Sequence, residues 1–360
     1  MRKLKIIIDI LTPKQCMFFP RLAERLEGMG HRVWMTSRRY RELNQLLEMK
    51  GIEARVVGEH GGGRLRDKLV ASARRIQELI PVFDEVDPDV SVSFSSPEMA
   101  RASFGLGVPH VCLSDSPHAV AVSRLTIPLS SLLLTPKIIP REAWVGYGIP
   151  AENIIQYNAL DPWAWLRDFE PDPMILGELG LNEARPVVTV RVTESYAAYL
   201  LKKDVKESSM IRFMLNLLGR RGDLQIVALP RYQEQVEELR GAARKSIVVC
   251  EKVVDGASLL HFSDVFVGAG GTMSAEAALL GVPTFSSYPG EPYIVEQYLA
   301  EKGLIVRETN PGALVKGVLD ILDDPGEARA SWSRRAQELV SGFEDPVEVI
   351  ARRIERVKER

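Results

Sequence analysis

The chain has few cysteines, no long apolar run and almost no net charge, and each of these features excludes a class of protein. Its three cysteines, Cys16, Cys112 and Cys250, form no CxxC pair and stand in apolar surroundings, which predicts buried free thiols in a reducing compartment. No run approaches the ~20 apolar residues of a membrane span. The N-terminal run ends at Asp9 and has no cleavage site, so it predicts a strand rather than a signal peptide.

The charged residues nearly balance, with 46 Lys and Arg against 48 Asp and Glu and a net charge of −2. This balance offers no argument for a nucleic-acid partner. The sequence also contains no HExxH motif and no cluster of His and Cys, so we expect neither a metal site nor a cofactor. The expected location is cytoplasmic.

The chain contains enough apolar material for two domains. Its 360 residues exceed the ~100–200 of one typical domain, and 46% are hydrophobic. An Asp- and Pro-rich stretch at about 161–185 suits a linker. We therefore predict an N-terminal domain at 1–165 and a C-terminal domain at 186–340. A charged terminal helix, 341–360, follows, and a return of this helix to the first domain is one possible course.

Both halves alternate short apolar runs with helical patterns. The apolar runs predict strands at 4–10, 31–36, 53–57, 89–94 and 108–113, and again at 187–191, 224–229, 247–250, 264–267 and 282–286. These runs show no two-residue alternation, which indicates parallel sheets covered by helices on both faces. The predicted fold class is α/β, with two Rossmann-like domains that face each other across a cleft.

The strongest local signal is a glycine turn between a strand and a helix in the second half. The strand runs into Gly268, Gly270 and Gly271, and the helix begins at about Thr272. Glycines allow close approach of a ligand to the backbone, and a helix N-terminus offers free N–H groups, so the turn predicts a diphosphate site. Glu276, about one turn into the helix, could bond ribose hydroxyls. A turn that has glycines for packing alone is the alternative.

This turn resembles the donor-binding stretch of glycosyltransferase-B enzymes, including the N-acetylglucosaminyltransferase that makes lipid II, and of UDP-N-acetylglucosamine 2-epimerase. Nearly the whole chain resembles the largely archaeal family called domain of unknown function 354, described as predicted glycosyltransferases. The stretches that carry this resemblance are IDILTPKQCMFFPRL, GHRVWMTSR, EHGG, SDSPHAVAVSRLTIPL and GAGGTMSAEAALLGVP.

The resemblance implies a role for each donor-side residue. Gly270, Gly271 and Thr272 would contact the diphosphate, and Glu276 the ribose. The backbone of Val254 would face a uracil edge, although Val254 could equally be a core residue. Glu291, in the loop after the next strand, would face the sugar hydroxyls.

The candidates for a catalytic base lie in the first half, because such a base must come within about 3 Å of the attacking hydroxyl. They are Asp9 at the end of the first strand, His60 before three glycines, and Asp115 and His118 in the sequence DSPH. The spacing of Asp115 and His118 allows a mutual hydrogen bond that would orient the imidazole. Asp115 could instead cap a helix.

Two arginines are candidates for phosphate contacts. Arg191 ends the first strand of the second half and could neutralise a leaving diphosphate, with a salt bridge to the linker as the alternative. Arg124 follows DSPH and could contact phosphate or acceptor. The apolar segment 125–136 could rest on a membrane surface near a lipid-linked acceptor, or it could be a core strand with its turn.

These observations predict an enzyme of the hexosyltransferase type. It would move a sugar from a nucleotide-sugar, with UDP as the expected nucleotide, to a hydroxyl of a glycan or lipid-linked acceptor, without a metal. A UDP-N-acetylglucosamine 2-epimerase is the first alternative. A non-catalytic protein that binds a nucleotide-sugar is the second.

Overall fold

The computed structural model describes residues 3–192, 208–230, 233–242 and 246–357. The chain divides into two compact units. Unit 1 comprises Met1–Trp165 and Glu344–Arg360, and unit 2 comprises Leu166–Phe343.

Unit 1 alternates strands and helices in the order that a doubly wound sheet requires. Its elements are β1 Lys5–Ile10, α1 Pro13–Gly28, β2 Arg32–Arg39, α2 Arg41–Met49, β3 Arg55–Glu59, α3 Leu65–Val86, β4 Val90–Phe94, α4 Pro97–Gly105, β5 His110–Leu113, α5 Val120–Thr126, β6 Leu132–Pro136, α6 Glu142–Val145 and β7 Ile154–Tyr157. The helix α7, Trp163–Leu166, spans the boundary between the two units.

Unit 2 repeats the pattern with its own sheet. Its elements are α8 Met174–Glu178, β8 Val187–Arg191, α9 Ser208–Arg220, β9 Gln225–Leu229, α10 Gln233–Ala242, β10 Ile247–Val249, α11 Gly256–His261, β11 Val265–Gly268, α12 Thr272–Leu279, β12 Thr284–Ser286, α13 Ile294–Glu301, β13 Ile305–Arg307, α14 Pro311–Asp323 and α15 Pro325–Val340. The last helix, α16 Pro346–Glu355, belongs to unit 1.

Both sheets are parallel, and their strand orders place a reversal near the middle. Over the described residues, the order is β3-β2-β1-β4-β5-β6-β7 in unit 1 and β10-β9-β8-β11-β12-β13 in unit 2. In such sheets ligands bind outside the carboxyl ends of the strands at the reversal, which lies between β1 and β4 and between β8 and β11. The prediction of an α/β fold with two Rossmann-like domains is confirmed.

Apolar strands and amphipathic helices form a separate core in each unit. In unit 1, α1 buries Phe18, Phe19 and Leu22, and the Phe18 ring meets Trp165 edge-on at 6.5 Å. On the outer side of α1, Arg25 forms an ion pair with Glu348 of α16. In unit 2, the strands β8, β9 and β11 pack against α9 and α14. The three cysteines are buried and form no disulfide, as predicted.

No helix in the described part of the chain is long and apolar enough to cross a bilayer. The segment 125–136 is largely internal. Leu125 is exposed, but Ile127 is fully buried and every residue of β6 is buried. Residues 132–136 therefore form a core strand, and a membrane contact of the exposed start of this segment stays a prediction.

Candidate functional site

The glycine turn of unit 2 lies at the reversal of the second sheet. The strand β11 ends at Gly268, and α12 begins at Thr272. Gly270 and Gly271 have φ angles of 79° and 88°, which L-residues rarely adopt. The free N–H groups at the start of α12 therefore come directly after a turn that only glycines form without strain.

The buried hydroxyl of Ser274 lies against this turn. Ser274 is in the first turn of α12, and its Oγ has no hydrogen-bond partner among the described residues. A Cβ at Gly268 would lie 3.2 Å from this oxygen. An unsatisfied buried hydroxyl at a helix N-terminus is a ready donor for an anionic ligand.

The other predicted donor-side residues lie on the elements that the sequence indicated. Glu276 is buried in α12, while Glu291 is exposed after β12. Val254 is partly buried, and its side chain packs against the apolar cluster around Val187 and Leu259. The side chain of Val254 thus contacts the core, and the contact of its backbone with a uracil edge stays a prediction.

Arg191 ends β8, beside the glycine turn. Val190 of β8 pairs with Val267 of β11. Arg191 and Gly268 are the next residues along these strands, so they lie side by side at the two strand ends. The guanidinium Nη1 donates a hydrogen bond to the Pro230 carbonyl at 3.3 Å. A cation at this position is suited to neutralising a diphosphate.

In unit 1 the structure brings together a group that sequence reasoning missed. Lys14 Nζ, in the first turn of α1, lies 2.6 Å from Asp115 Oδ2 and 2.5 Å from Asp161 Oδ2. The Tyr157 hydroxyl donates to the other oxygen of Asp161, and Lys14 also lies over the Phe94 ring. One ammonium thus serves two carboxylates, and we call Lys14, Asp115 and Asp161 the lysine cluster.

The two carboxylates of the lysine cluster differ in accessibility and in proton affinity. Asp115 has 25% of its side chain exposed, whereas Asp161 has 1%. Burial acts to raise the pKa of Asp115, but the charge and hydrogen bond of Lys14 lower it to about 2. Burial raises the pKa of Asp161 to about 6, against the opposing effect of Lys14. Asp115 is therefore ionised at neutral pH and open to solvent.

Asp115 does not cap the helix that follows it. The N-cap of α5 is Ala119, without a side-chain bond, and the Asp115 carboxylate instead accepts from Lys14 and Ser116. The capping alternative is wrong. His118 is partly buried near Asp115, and burial lowers its pKa even though Asp115 acts to raise it. The imidazole is therefore neutral at pH 7 and able to accept a proton.

Asp9 does not face an open cleft. It is completely buried, and its carboxylate accepts two hydrogen bonds from Arg75, at 2.6 and 2.9 Å. Ser96 and Thr36 donate two more, at 2.7 and 2.8 Å. Burial acts to raise the pKa of Asp9, but Arg75 and these hydroxyls lower it. We therefore remove Asp9 from the candidate bases, because its acceptor positions are already filled.

His60 and Arg124 lie outside the lysine cluster. His60 packs against the Tyr40 ring at 5.0 Å, and its Nδ1 accepts from the Gly62 N–H at 3.1 Å. Burial, followed by the charge of Arg38, lowers the pKa of His60 to about 4, so this imidazole is neutral. Arg124 is exposed in the last turn of α5.

No group of three or more His, Cys, Asp or Glu suited to a metal ion occurs within 3–192, 208–230, 233–242 and 246–357. The sequence did not single out Lys14, Asp161, Ser274 or Glu296. Lys14 was the hardest to find, since its partner Asp115 lies 101 positions away.

A family model described as protein of unknown function (DUF354) matches residues 4–358. The chain belongs to this family. An uncharacterised protein of Methanocaldococcus jannaschii is 29% identical over 359 residues, which cover 98% of both chains. The family description assigns no activity.

Solved structures share the fold at low sequence identity. The UDP-GlcNAc 2-epimerase of Neisseria meningitidis bound to UDP-GlcNAc aligns with a TM-score of 0.73 and 13% identity, covering 98% of this chain and 100% of that chain. The spinosyn rhamnosyltransferase SpnG aligns with a TM-score of 0.63 and 13% identity, with the same coverage. The predicted glycosyltransferase-B fold class is confirmed, and at these identities the likeness extends to the fold alone.

Proposed function

We propose that the protein is a metal-independent glycosyltransferase that moves a sugar from a UDP-linked donor to an acceptor hydroxyl. The observation that carries the proposal is the glycine turn of unit 2, where Gly270 and Gly271 lead into α12 at the sheet reversal. The Ser274 hydroxyl, buried and without a partner among the described residues, supports an anionic ligand there. The structural neighbour bound to UDP-GlcNAc makes a UDP-sugar the first donor to test.

In this proposal the donor is held by backbone groups and by a few side chains of unit 2. The α12 N–H groups and Thr272 take the diphosphate, and Glu276 takes the ribose hydroxyls. Arg191 offsets the charge that develops on the leaving nucleoside diphosphate. Electrostatic stabilisation of this kind is commonly the largest catalytic contribution, so no metal is required.

Asp115 is the proposed base, with His118 as its neighbour. The acceptor O–H bond breaks, its oxygen forms a bond to the sugar C1, and the C1–O bond to the diphosphate breaks. The proton passes to Asp115, and the leaving group takes the electron pair. Lys14 keeps Asp115 ionised and holds its carboxylate in place, so this group carries no proton when the acceptor binds.

The test of donor binding is ligand-detected NMR with UDP-, GDP- and dTDP-sugars, repeated with Glu276→Ala. We expect one UDP-sugar to bind and the variant to lose it. The matched control is Glu301→Ala, an exposed glutamate on α13. Absence of any binding to the intact protein at millimolar concentration would refute the proposed donor site.

A UDP-sugar 2-epimerase is the second candidate, favoured by the neighbour of that activity with a TM-score of 0.73. It requires no acceptor, and it exchanges the hydrogen at C2 of the sugar with solvent. Incubation of the bound UDP-sugar in D2O therefore separates the two activities. Deuterium at C2 without acceptor identifies the epimerase, and binding without turnover under all conditions identifies a binding protein.

A further inference from the structure

A buried carboxylate, Glu296, lies beneath the glycine turn of unit 2. It belongs to the first turn of α13, and its side chain is 4% exposed. Within the described residues, neither carboxylate oxygen has a hydrogen-bond partner. Arg307 Nε lies 3.3 Å from Oε1, as an ion pair without hydrogen-bond geometry.

The contact with Arg307 offsets the charge of Glu296 but leaves its acceptor positions open. An ionised carboxylate offers about four lone-pair positions, and burying them without donors is costly. Arg307 directs Nη2 elsewhere, to the Gly290 carbonyl at 2.7 Å and the Tyr288 carbonyl at 3.4 Å. An orphaned buried acceptor of this kind indicates a donor that arrives with a ligand.

The open acceptors face the proposed diphosphate turn. A Cβ at Gly270 would lie 2.7 Å from Glu296 Oε2, so only a residue without a side chain leaves this approach free. The N-terminus of α12 begins two residues later. In a nucleotide-sugar the sugar is bonded directly to the diphosphate. The ribose is bonded to the other end of the diphosphate and is assigned to Glu276, so the sugar is the group left for Glu296.

We infer that Glu296 accepts hydrogen bonds from hydroxyl groups of the donor's sugar and so selects a sugar-bearing nucleotide, an inference that rests on the proposed function. Phosphate oxygens do not suit this position, because an ionised carboxylate repels them and has no proton to donate. The absence of a side chain at Gly270 leaves Oε2 open on the side of the turn.

Glu296 takes the role that the sequence assigned to Glu291. The two glutamates lie five positions apart, and Glu291 is exposed after β12. Glu301→Gln, at an exposed position on the same helix α13, is the matched control for Glu296→Gln, since both substitutions remove one charge and keep the side-chain shape.

The experiment measures dissociation constants of UDP and of the bound UDP-sugar for the intact protein and both variants. For Glu296→Gln we expect the UDP-sugar to bind about tenfold more weakly or worse, because hydrogen bonds to charged groups are lost. The affinity for UDP should stay within about threefold, since UDP has no sugar at this position. Glu301→Gln should leave both constants unchanged.

Deoxy analogues of the same UDP-sugar test the contact on the intact protein, whatever the stability of the variant. The analogue that lacks the contacted hydroxyl should bind the intact protein more weakly than the complete UDP-sugar does. The substitution Glu296→Gln should weaken the binding of this analogue only slightly further. Equal weakening of UDP and UDP-sugar by Glu296→Gln would overturn the inference, because the carboxylate would then only support the turn. Full affinity for every deoxy analogue would overturn it too. If the intact protein binds no nucleotide-sugar, the proposed function fails first.

Discussion

The lysine cluster should make the free energy of unfolding depend on pH, and the single substitution Asp161→Asn should remove that dependence. Asp161 has a pKa of about 6 in the folded chain, compared with the ordinary value of 3.8. The folded chain therefore holds this proton more tightly than the unfolded chain does. Between about pH 4 and 6, the contribution of Asp161 to the free energy of unfolding is largest at low pH and is lost as the pH rises.

The size of the effect follows from the shift in pKa. A shift from 3.8 to about 6 corresponds to about 3 kcal/mol, at about 1.4 kcal/mol per pKa unit. Asp115 titrates in a different window. Its pKa is lowered to about 2, so its stabilising contribution is present above pH 3.8 and is lost as the pH falls toward 2. Of the two carboxylates, Asp161 is the one that titrates between about pH 4 and 6, and the comparison with a variant cancels other groups, such as His60, that contribute there.

Urea unfolding of the intact protein and of Asp161→Asn, at several values between about pH 4 and 7, measures this contribution. The difference in unfolding free energy between the two proteins should change by about 3 kcal/mol across the interval, with the intact protein favoured at the acidic end. Asp168→Asn, at an exposed aspartate, is the control and should show a constant difference. A constant difference for Asp161→Asn would refute the raised pKa of Asp161.

Three further substitutions test interactions within unit 1 or within unit 2. Arg75→Met should destabilise unit 1 by about 3–5 kcal/mol in urea unfolding, because it leaves the Asp9 carboxylate buried without its cation, and a loss below about 1 kcal/mol would contradict the buried pair. Asp345→Ala should cost about 1 kcal/mol by removing the cap of α16, measured in the same way, and no change would show that the cap is dispensable. Gly281→Ala should lower the melting temperature, because its Cβ would lie 2.5 Å from Ser333 Cα at a φ of 68°, and an unchanged temperature would contradict that close approach.

The long periodic elements were predictable from the sequence. The amphipathic pattern of residues 65–86 corresponds to the helix α3, and the predicted strand at 187–191 is β8, with the same bounds. Three strands received no firm prediction. The strand β6 ends in Pro136 and has no alternation, while β7 and β13 are four and three residues long. A short strand is defined by its neighbours in the sheet, which a local pattern does not contain.

The donor side was easier to predict than the acid–base side, for a physical reason. The turn Gly268–Gly271 and the helix after it are contiguous, so one stretch of sequence determines their geometry. The lysine cluster assembles from the loops after three strands, and Lys14 lies 101 positions from Asp115. Local spacing suggested an Asp115–His118 pair and a role for Asp9. It could not show that Arg75 already occupies acceptor positions of the Asp9 carboxylate.

Accessibility separates Asp9, Asp115 and Asp161, three aspartates of unit 1. Asp9 is completely buried with its acceptors filled, and Asp161 is buried behind Lys14. Asp115, with a quarter of its side chain exposed, is the one of the three that can reach a substrate. Asp115 alone suffices for the proposed transferase, which needs one base for one acceptor hydroxyl. An epimerase needs acid–base groups on both sides of the sugar C2. Asp115→Asn should therefore abolish turnover while the donor still binds, and retention of turnover would remove Asp115 from the mechanism.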